Sequence, residues 1–336
     1  MKSLRRLFAI LLLASVIGLT ACNAATPVPT ATPPAPTATP APTATLAPTA
    51  TPTPLPPTAT PSLYPMTITD MAGREVTIAA EPQRIVSLSP SNTEILYALG
   101  LGDRVVGVTE YCNYPPEAAQ KPKVGGFSDV NTEKVVEAQP DLILVASIHI
   151  PEVLPALEKL GFTILVLDAH DFPGVLDGIR LVGKVTAQEQ VAEALTAQMQ
   201  QRADAIAQAV AGRERPRVYW ELDSTLWTIG PGSFVQDLIE RAGGQNIAAD
   251  AEQAWVQLNA EAIIAADPEV IFLADHPYGE SAESVAARAG WDKISAVVNG
   301  RVIELTEEQG DIVSRPGPRV IDALELIAHA LHPDAF

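Results

Sequence analysis

Tyr111, Phe127, Trp227 and Trp255 are the residues through which this chain can do most chemistry, because their rings can be offered as flat faces to a small-molecule ligand. Aromatic residues make up only 5% of the 336 positions, so their placement is informative. Tyr111 follows a short β-rich run, Phe127 follows Val124-Gly125-Gly126, and Trp227 and Trp255 fall in the corresponding region of the second half. Large flat groups around a cleft, helped by a few polar anchors, make a small-molecule site; the same rings can instead pack beneath a loop. Patterns for nucleophilic, zinc-hydrolytic, phosphate-cradling or dithiol chemistry are missing from the sequence, and Gly230-Pro231-Gly232 reads as a turn. His149, His170 and His276 each follow a strand, but their spacing offers no converging set of three or four ligands, so they read as surface or capping groups and no metal site is expected.

The elements that must position these rings are legible as apolar runs. Arg84 to Leu88 is a strand, the Ser-Pro-Ser-Asn segment breaks it, Thr93 to Leu99 has helical spacing, and Val105 to Val108 is a second strand. Strand, loop, helix, strand is the first unit of a wound α/β domain, whose ligand crevice lies outside the strand ends. Asp141 to Ala146 and Thr163 to Leu167 are continuous enough to be strands buried on both faces, with helices predicted over 151–160 and 176–185. Residues 187–211 hold no Gly or Pro, which predicts one long connecting helix. A second α/β set follows: strands at 217–222, 227–229, 270–274 and 302–305, a helix at 233–242, and a last helix from Arg319 to about His329.

An internal repeat makes the two-lobed plan explicit. Residues 130–146 (VNTEKVVEAQPDLILVA) match 258–274 (LNAEAIIAADPEVIFLA) without a gap. Each reads as a helix capped by Asn131 or Asn259, stopped before Pro140 or Pro268, and followed by a buried strand. Glu133 and Glu261 occupy equivalent first-turn positions, where a carboxylate complements the helix macrodipole without needing any further role.

The first residues are of another kind. Lys2, Arg5 and Arg6 precede an apolar run from Leu7 to Leu19, too short to span a bilayer comfortably and typical of a secretory leader. It ends in Leu19-Thr20-Ala21-Cys22, which resembles a bacterial lipobox and implies cleavage before Cys22, lipid on its thiol and anchoring to the outer face of the cytoplasmic membrane. Residues 23–65 repeat Thr, Ala and Pro without a charge, the composition of an extended tether. With Cys22 lipidated, Cys112 has no disulfide partner and reads as a small buried hydrophobe. The net charge of −18 becomes −21 once the leader's three cations are removed, which disfavours nucleic acid and anionic lipid as partners.

The RIVSLSPSNTE opening (Arg84 to Glu94) and the Tyr-x-x-Tyr-Pro-Pro run (Tyr111 to Pro116) resemble the periplasmic binding proteins for vitamin B12, iron siderophores and haem, and the likeness extends from about Ile68 to the C-terminus. The resemblance implies an α/β fold of two Rossmann-like lobes joined by a single long α-helix with the ligand cleft between them. On this reading residues 66–186, 187–212 and 213–336 are the N-lobe, connecting helix and C-lobe. It further implies a non-enzymatic substrate-binding subunit of an ABC importer, working as a monomer with permease and ATPase subunits. Cobalamin or another corrinoid is then a transported ligand and not a catalytic cofactor. By resemblance to the B12 binders, Tyr111, Phe127, Trp227 and Trp255 line the corrin site. Asp311 and Arg315 supply polar contacts from a loop before the last helix, where Glu307 or Glu308 can take the Asp role. Ala146 replaces a Trp that some vitamin binders carry, which predicts a wider pocket. Glu133 and Glu261 meet arginines of the permease. Haem, for which Tyr111, His149 and His170 are available, and ferric siderophores stay open within the class; an enzyme or metal-cluster protein on the same plan, and a sensor or adhesin on a tether, stay open outside it.

Overall fold

The computed structural model describes residues 63–336. The leader (1–21), Cys22 and the tether as far as residue 62 lie outside the described residues. Tyr64 already belongs to the folded body: its ring packs against the core and its hydroxyl donates to the Val185 carbonyl at 2.9 Å.

An antiparallel hairpin, β1 (Met66–Thr69) and β2 (Glu75–Ile78), opens the N-lobe. The lobe proper is β3 (Ile85–Ser87), α1 (Pro90–Ala98), β4 (Val105–Val108), α2 (Thr132–Glu137), β5 (Leu142–Val145), α3 (Val153–Lys159) and β6 (Ile164–Val166). Its four strands are parallel in the order β4-β3-β5-β6. Helices α4 (Phe172–Val185) and α5 (Glu189–Val210) lead away from it. The C-lobe comprises β7 (Arg217–Glu221), β8 (Trp227–Ile229), α6 (Phe234–Arg241), β9 (Gln245–Asn246), β10 (Trp255–Gln257), α7 (Ala260–Ala266), β11 (Val270–Leu273), α8 (Ala282–Ala286), α9 (Ser295–Val298), β12 (Val302–Glu304), α10 (Glu307–Ser314) and α11 (Val320–Leu331). Its parallel sheet runs β12-β11-β7-β9, the N-lobe order with β7 in the place of β3 and β11 in the place of β5.

The repeat extends to atomic detail. Asn131 Oδ1 accepts from the Lys134 amide at 3.1 Å and Asn259 Oδ1 from the Ala262 amide at 2.8 Å, each supplying a side-chain cap. Gln139 and Asp267, 128 positions apart, both take left-handed backbone (φ 47° and 46°) just before the proline. Arg84 caps the carbonyls of Ala138 and Gln139, and Arg217 those of Ala266 and Asp267.

Alternate residues of the central strands enter different cores, which is why those strands read as unbroken apolar runs. Leu142 and Leu144 of β5, with Val270 and Phe272 of β11, join one cluster that continues through α4, α5 and α11 across both lobes. Ile143 and Val145 pack beneath α2 and α3, whereas Ile271 and Leu273 pack beneath α7, α8 and α9. The 22 residues of α5 span about 33 Å. Arg202 ties that helix to Asp322 (2.6 Å) and Glu325 (2.7 and 2.9 Å) of α11.

Three sequence expectations are revised. Helix α4 starts at Phe172 rather than 176, because the Asp171 carboxylate accepts from the Gly174 amide at 2.7 Å and Pro173 is harmless in a first turn. Residues 307–314, expected as a loop, are helical: Thr306 and Gln309 form a reciprocal capping box. Trp255, expected in a loop, lies on β10 and faces Ile229 of β8 in an antiparallel ribbon.

Candidate functional site

All four N-lobe strands end at one cavity of about 840 Å³. Beyond β3 the chain contributes Ser89 to Asn92, beyond β4 Tyr111, beyond β5 Ala146 to Ile148, and beyond β6 Leu167 to His170. Phe127, Ser128 and Asp129 come from the turn that feeds α2. Gly125 makes that turn feasible: its φ is +112°, and a Cβ there would lie 2.7 Å from the Asn131 amide nitrogen. Gly174, Val175 and Gly178 of α4 form part of the wall. From the C-lobe come Gly232 to Phe234, Ala254 and Trp255, together with Asp311 and Ser314 to Pro316 around the end of α10.

Tyr111 and Trp255 are 60% and 51% exposed, so large areas of aromatic face stand open to a ligand from opposite lobes. Phe127 is held from behind by His149, whose ring meets it edge to face at 5.5 Å between centroids. His149 is buried; Nε2 donates to the Phe127 carbonyl at 2.7 Å, and Nδ1 accepts from the Ala146 amide at 3.0 Å. Burial pushes its pKa down, partly offset by the backbone hydrogen bonds, so the neutral ring is favoured. This histidine caps a loop and its ring nitrogens are already engaged, which removes it as an axial ligand. His170 does line the cavity, 3.1 Å from Asp168 Oδ2.

The predicted site residues are thus mostly brought together: Tyr111, Phe127, Trp255, Asp311 and Arg315 share the cavity, beside Ala146. Trp227 is not among the lining residues. It sits 39% exposed on β8 opposite Gln257, and the ribbon directs Trp255 to the cavity in its place. Glu307 and Glu308 border a smaller hollow with Asn113, Tyr114 and Arg319. Cys112 is buried with its sulfur 3.1 Å from the hydroxyls of Thr93 and Thr109, in keeping with a small core residue. Glu133 and Glu261 are exposed in the first turns of α2 and α7.

Arg315 departs most from expectation. It is buried, with Nη1 donating to Glu94 Oε1 (3.1 Å) and Asn113 Oδ1 (2.7 Å), and Nη2 contacting the Tyr111 carbonyl (3.3 Å) and Asp311 Oδ1 (2.6 Å). The Ser89–Asn92 loop and His170, both immediately after strands, line the cavity as the strand-end rule expects, while Asp168 and Ala169 beside His170 were not singled out in the sequence.

Among the described residues, no group of three or more His, Cys, Asp or Glu is placed to hold a metal ion, and no helix is long and apolar enough to cross a membrane. Tyr111, Phe127, Ile148 and Trp255 give the cavity apolar walls, with Asp311 and Arg315 as polar groups at its edge.

Comparison with known proteins agrees with this geometry. The family model described as "Periplasmic binding protein" matches residues 85–309. An ABC transporter substrate-binding lipoprotein of Bacillus subtilis, YvrC, is 38% identical over 283 residues, covering 82% of this chain and 88% of its own. A cobalamin-binding protein of Halobacterium salinarum is 33% identical, covering 80% of this chain and 74% of the relative. The crystal structure of the periplasmic vitamin B12 binding protein BtuF of Vibrio cholerae superposes with a TM-score of 0.67 at 32% identity, over 75% of this chain and 98% of that one. The chain therefore belongs to the periplasmic binding protein family, as an extracytoplasmic, non-enzymatic substrate-binding component that serves the permease and ATPase subunits of an ABC importer.

Proposed function

We propose that this protein captures cobalamin or another corrinoid between its lobes and delivers it to the permease. The observation that carries the reading is the cavity itself: about 840 Å³, with Tyr111 and Phe127 on one side and Trp255 on the other, a shape suited to a broad planar ligand. The cobalamin-binding and vitamin B12-binding relatives support the same choice. Ala146 leaves room where a larger side chain would narrow the cavity. Asp311 and Arg315 stand at the edge, where polar groups on a corrinoid's periphery would fall.

We propose further that the domain works from a lipid anchor and docks on the permease through both lobes. Residues 1–21 are a leader, Cys22 carries lipid, 22–65 are the tether, and 66–336 are the binding domain, acting as a monomer. Glu133 and Glu261 dock the two lobes on permease arginines. A native mass spectrum of protein extracted from membranes and mixed with cyanocobalamin, haemin and a ferric siderophore tests most of this at once. The expected species is one chain beginning at a lipidated Cys22 with one cyanocobalamin. A haemin adduct in preference, an unlipidated chain or a dimer would overturn the corresponding part. Docking is tested separately by reversing Glu133 and Glu261 to Lys: corrinoid affinity should hold while transport by the reconstituted importer falls sharply, because exposed charges act on association with a partner. Unchanged transport would reduce both residues to helix-start carboxylates.

A further inference from the structure

The region behind Arg315 has a build that ligand contact alone does not require. Glu94, in α1 of the N-lobe, is buried, and its carboxylate is held entirely from the C-lobe. Arg319 donates through Nε to Oε2 at 2.8 Å and through Nη2 to Oε1 at 2.7 Å, and Arg315 donates to Oε1 at 3.1 Å. The same Arg315 reaches Asn113 and the Tyr111 carbonyl, Asn113 Nδ2 donates to Asp311 Oδ2 at 2.8 Å, and Arg319 lies 4.0 Å above the Tyr114 ring. Two carboxylates face two guanidiniums, so the cluster is charge-balanced across the lobe boundary. The backbones are close here as well, since a Cβ on Gly317 would lie 3.2 Å from the Ser91 carbonyl oxygen.

A buried carboxylate is expensive unless fully paired, and here one pairing partner, Arg315, borders the cavity while the other, Arg319, borders the smaller hollow beside it. We infer that Glu94 is a positioning residue for the ligand site: it fixes Arg315, and Arg315 in turn fixes Asp311 and the Tyr111 backbone, so that the C-lobe's polar edge and the N-lobe's aromatic face are held in one register. Glu94 itself does not touch the ligand. Trp255, carried on the β8–β10 ribbon, makes none of these contacts and stands outside the linkage. The assignment rests on the corrinoid reading for its affinity measurement, and not for its structural one.

The test is a pair of double-mutant cycles with cyanocobalamin, accompanied by amide hydrogen exchange without ligand. Glu94→Gln should weaken binding by about tenfold, the scale of residues coupled in one hydrogen-bonded network. Tyr111→Ala should then cost much less in the Glu94→Gln background than in the parent, whereas Trp255→Ala should cost the same in both. In ligand-free Glu94→Gln protein, amides of α10 and residues 111–116 should exchange faster while those of β5 and β11 keep their protection. If Glu94→Gln fails to fold, Glu94→Gln with Arg319→Gln restores charge balance and is carried through the same measurements. Additive losses at both Tyr111 and Trp255, unchanged local exchange, or failure of both variants to fold would make Glu94 a structural residue only and overturn the assignment. If the parent binds no cyanocobalamin, the ligand reading falls, and the exchange pattern alone then decides for or against Glu94.

Discussion

The loops that follow β5 and β11 occupy equivalent places in the internal repeat, yet they have been put to opposite uses. In the N-lobe, Ala146, Ser147 and Ile148 line the cavity, and a buried neutral His149 pins them to the Phe127 turn. In the C-lobe, Ala274 and Asp275 do not line that cavity. Asp275 is 4% exposed, and neither of its carboxylate oxygens has a hydrogen-bond partner among the described residues. Beside it Glu221, buried at the end of β7, takes two hydrogen bonds from Arg288, which also reaches Glu280 at 2.9 Å and stacks 4.7 Å from the Trp291 ring. The parallel sheets share a strand order, but only one opens its central strand ends to ligand. The other plugs them with an ion cluster and offers the β8–β10 ribbon and the end of α10 instead. A duplicated backbone therefore fixes where a cleft can be, while the side chains at strand ends decide which lobe lines it.

That contrast predicts opposite responses to pH. Burial, reinforced by the Glu221 carboxylate, pushes Asp275 up from 3.8 to about 7. A group whose folded pKa is raised stabilises the fold below its unfolded pKa, and the contribution is lost as pH rises through the folded value. The interval between 3.8 and about 7 corresponds to on the order of 4 kcal/mol. Asp275→Asn should accordingly leave stability near pH 4 little changed and raise it by a few kcal/mol at pH 8, where the parent must hold an ionised, unpartnered carboxylate. Denaturant unfolding at the two pH values measures this, and equal stability shifts at both would contradict the account of the plugged lobe. The smaller effect belongs to His149, whose folded pKa is depressed by burial. Its contribution is present above about pH 6.5 and is lost as pH falls below that value, because the unfolded ring takes up a proton first. His149→Gln should flatten this acid-side loss, and a loss unchanged in the variant would show that another group causes it.

Much of this was legible in the sequence. The apolar runs at 141–146 and 270–274 located the central strands because both of their faces are buried, and the Asn-x-Glu starts located α2 and α7 because a capping side chain is a local signal. The aromatic placements pointed to Tyr111 and Phe127 through the rule that ligands lie beyond strand ends, and to Trp255 although it lies on β10 itself. What escaped depends on contacts distant in sequence. Trp227 and Trp255 are both tryptophans near strands, and only the β8–β10 pairing distinguishes the one that lines the cavity. Arg315 was pointed to by the resemblance to the vitamin binders, which have an Asp and an Arg four residues apart in this region, but its engagement by Glu94, 221 positions away, has no local signature. The short β9 and the capped α10 were missed because two residues carry no periodicity and a Gly at 310 obscured a helix.

The central claim is that a corrinoid is held between aromatic faces supplied by both lobes, and Trp255 provides the C-lobe face. Calorimetric titration of the parent and of Trp255→Ala with cyanocobalamin, with haemin as comparison, tests it most directly. The account predicts one site per chain in the parent and a loss of about 2 kcal/mol on truncation, the scale of a central aromatic anchor, or roughly thirtyfold in Kd. No heat from cyanocobalamin alongside saturable binding of haemin, or equal corrinoid affinity in the two proteins, would contradict it.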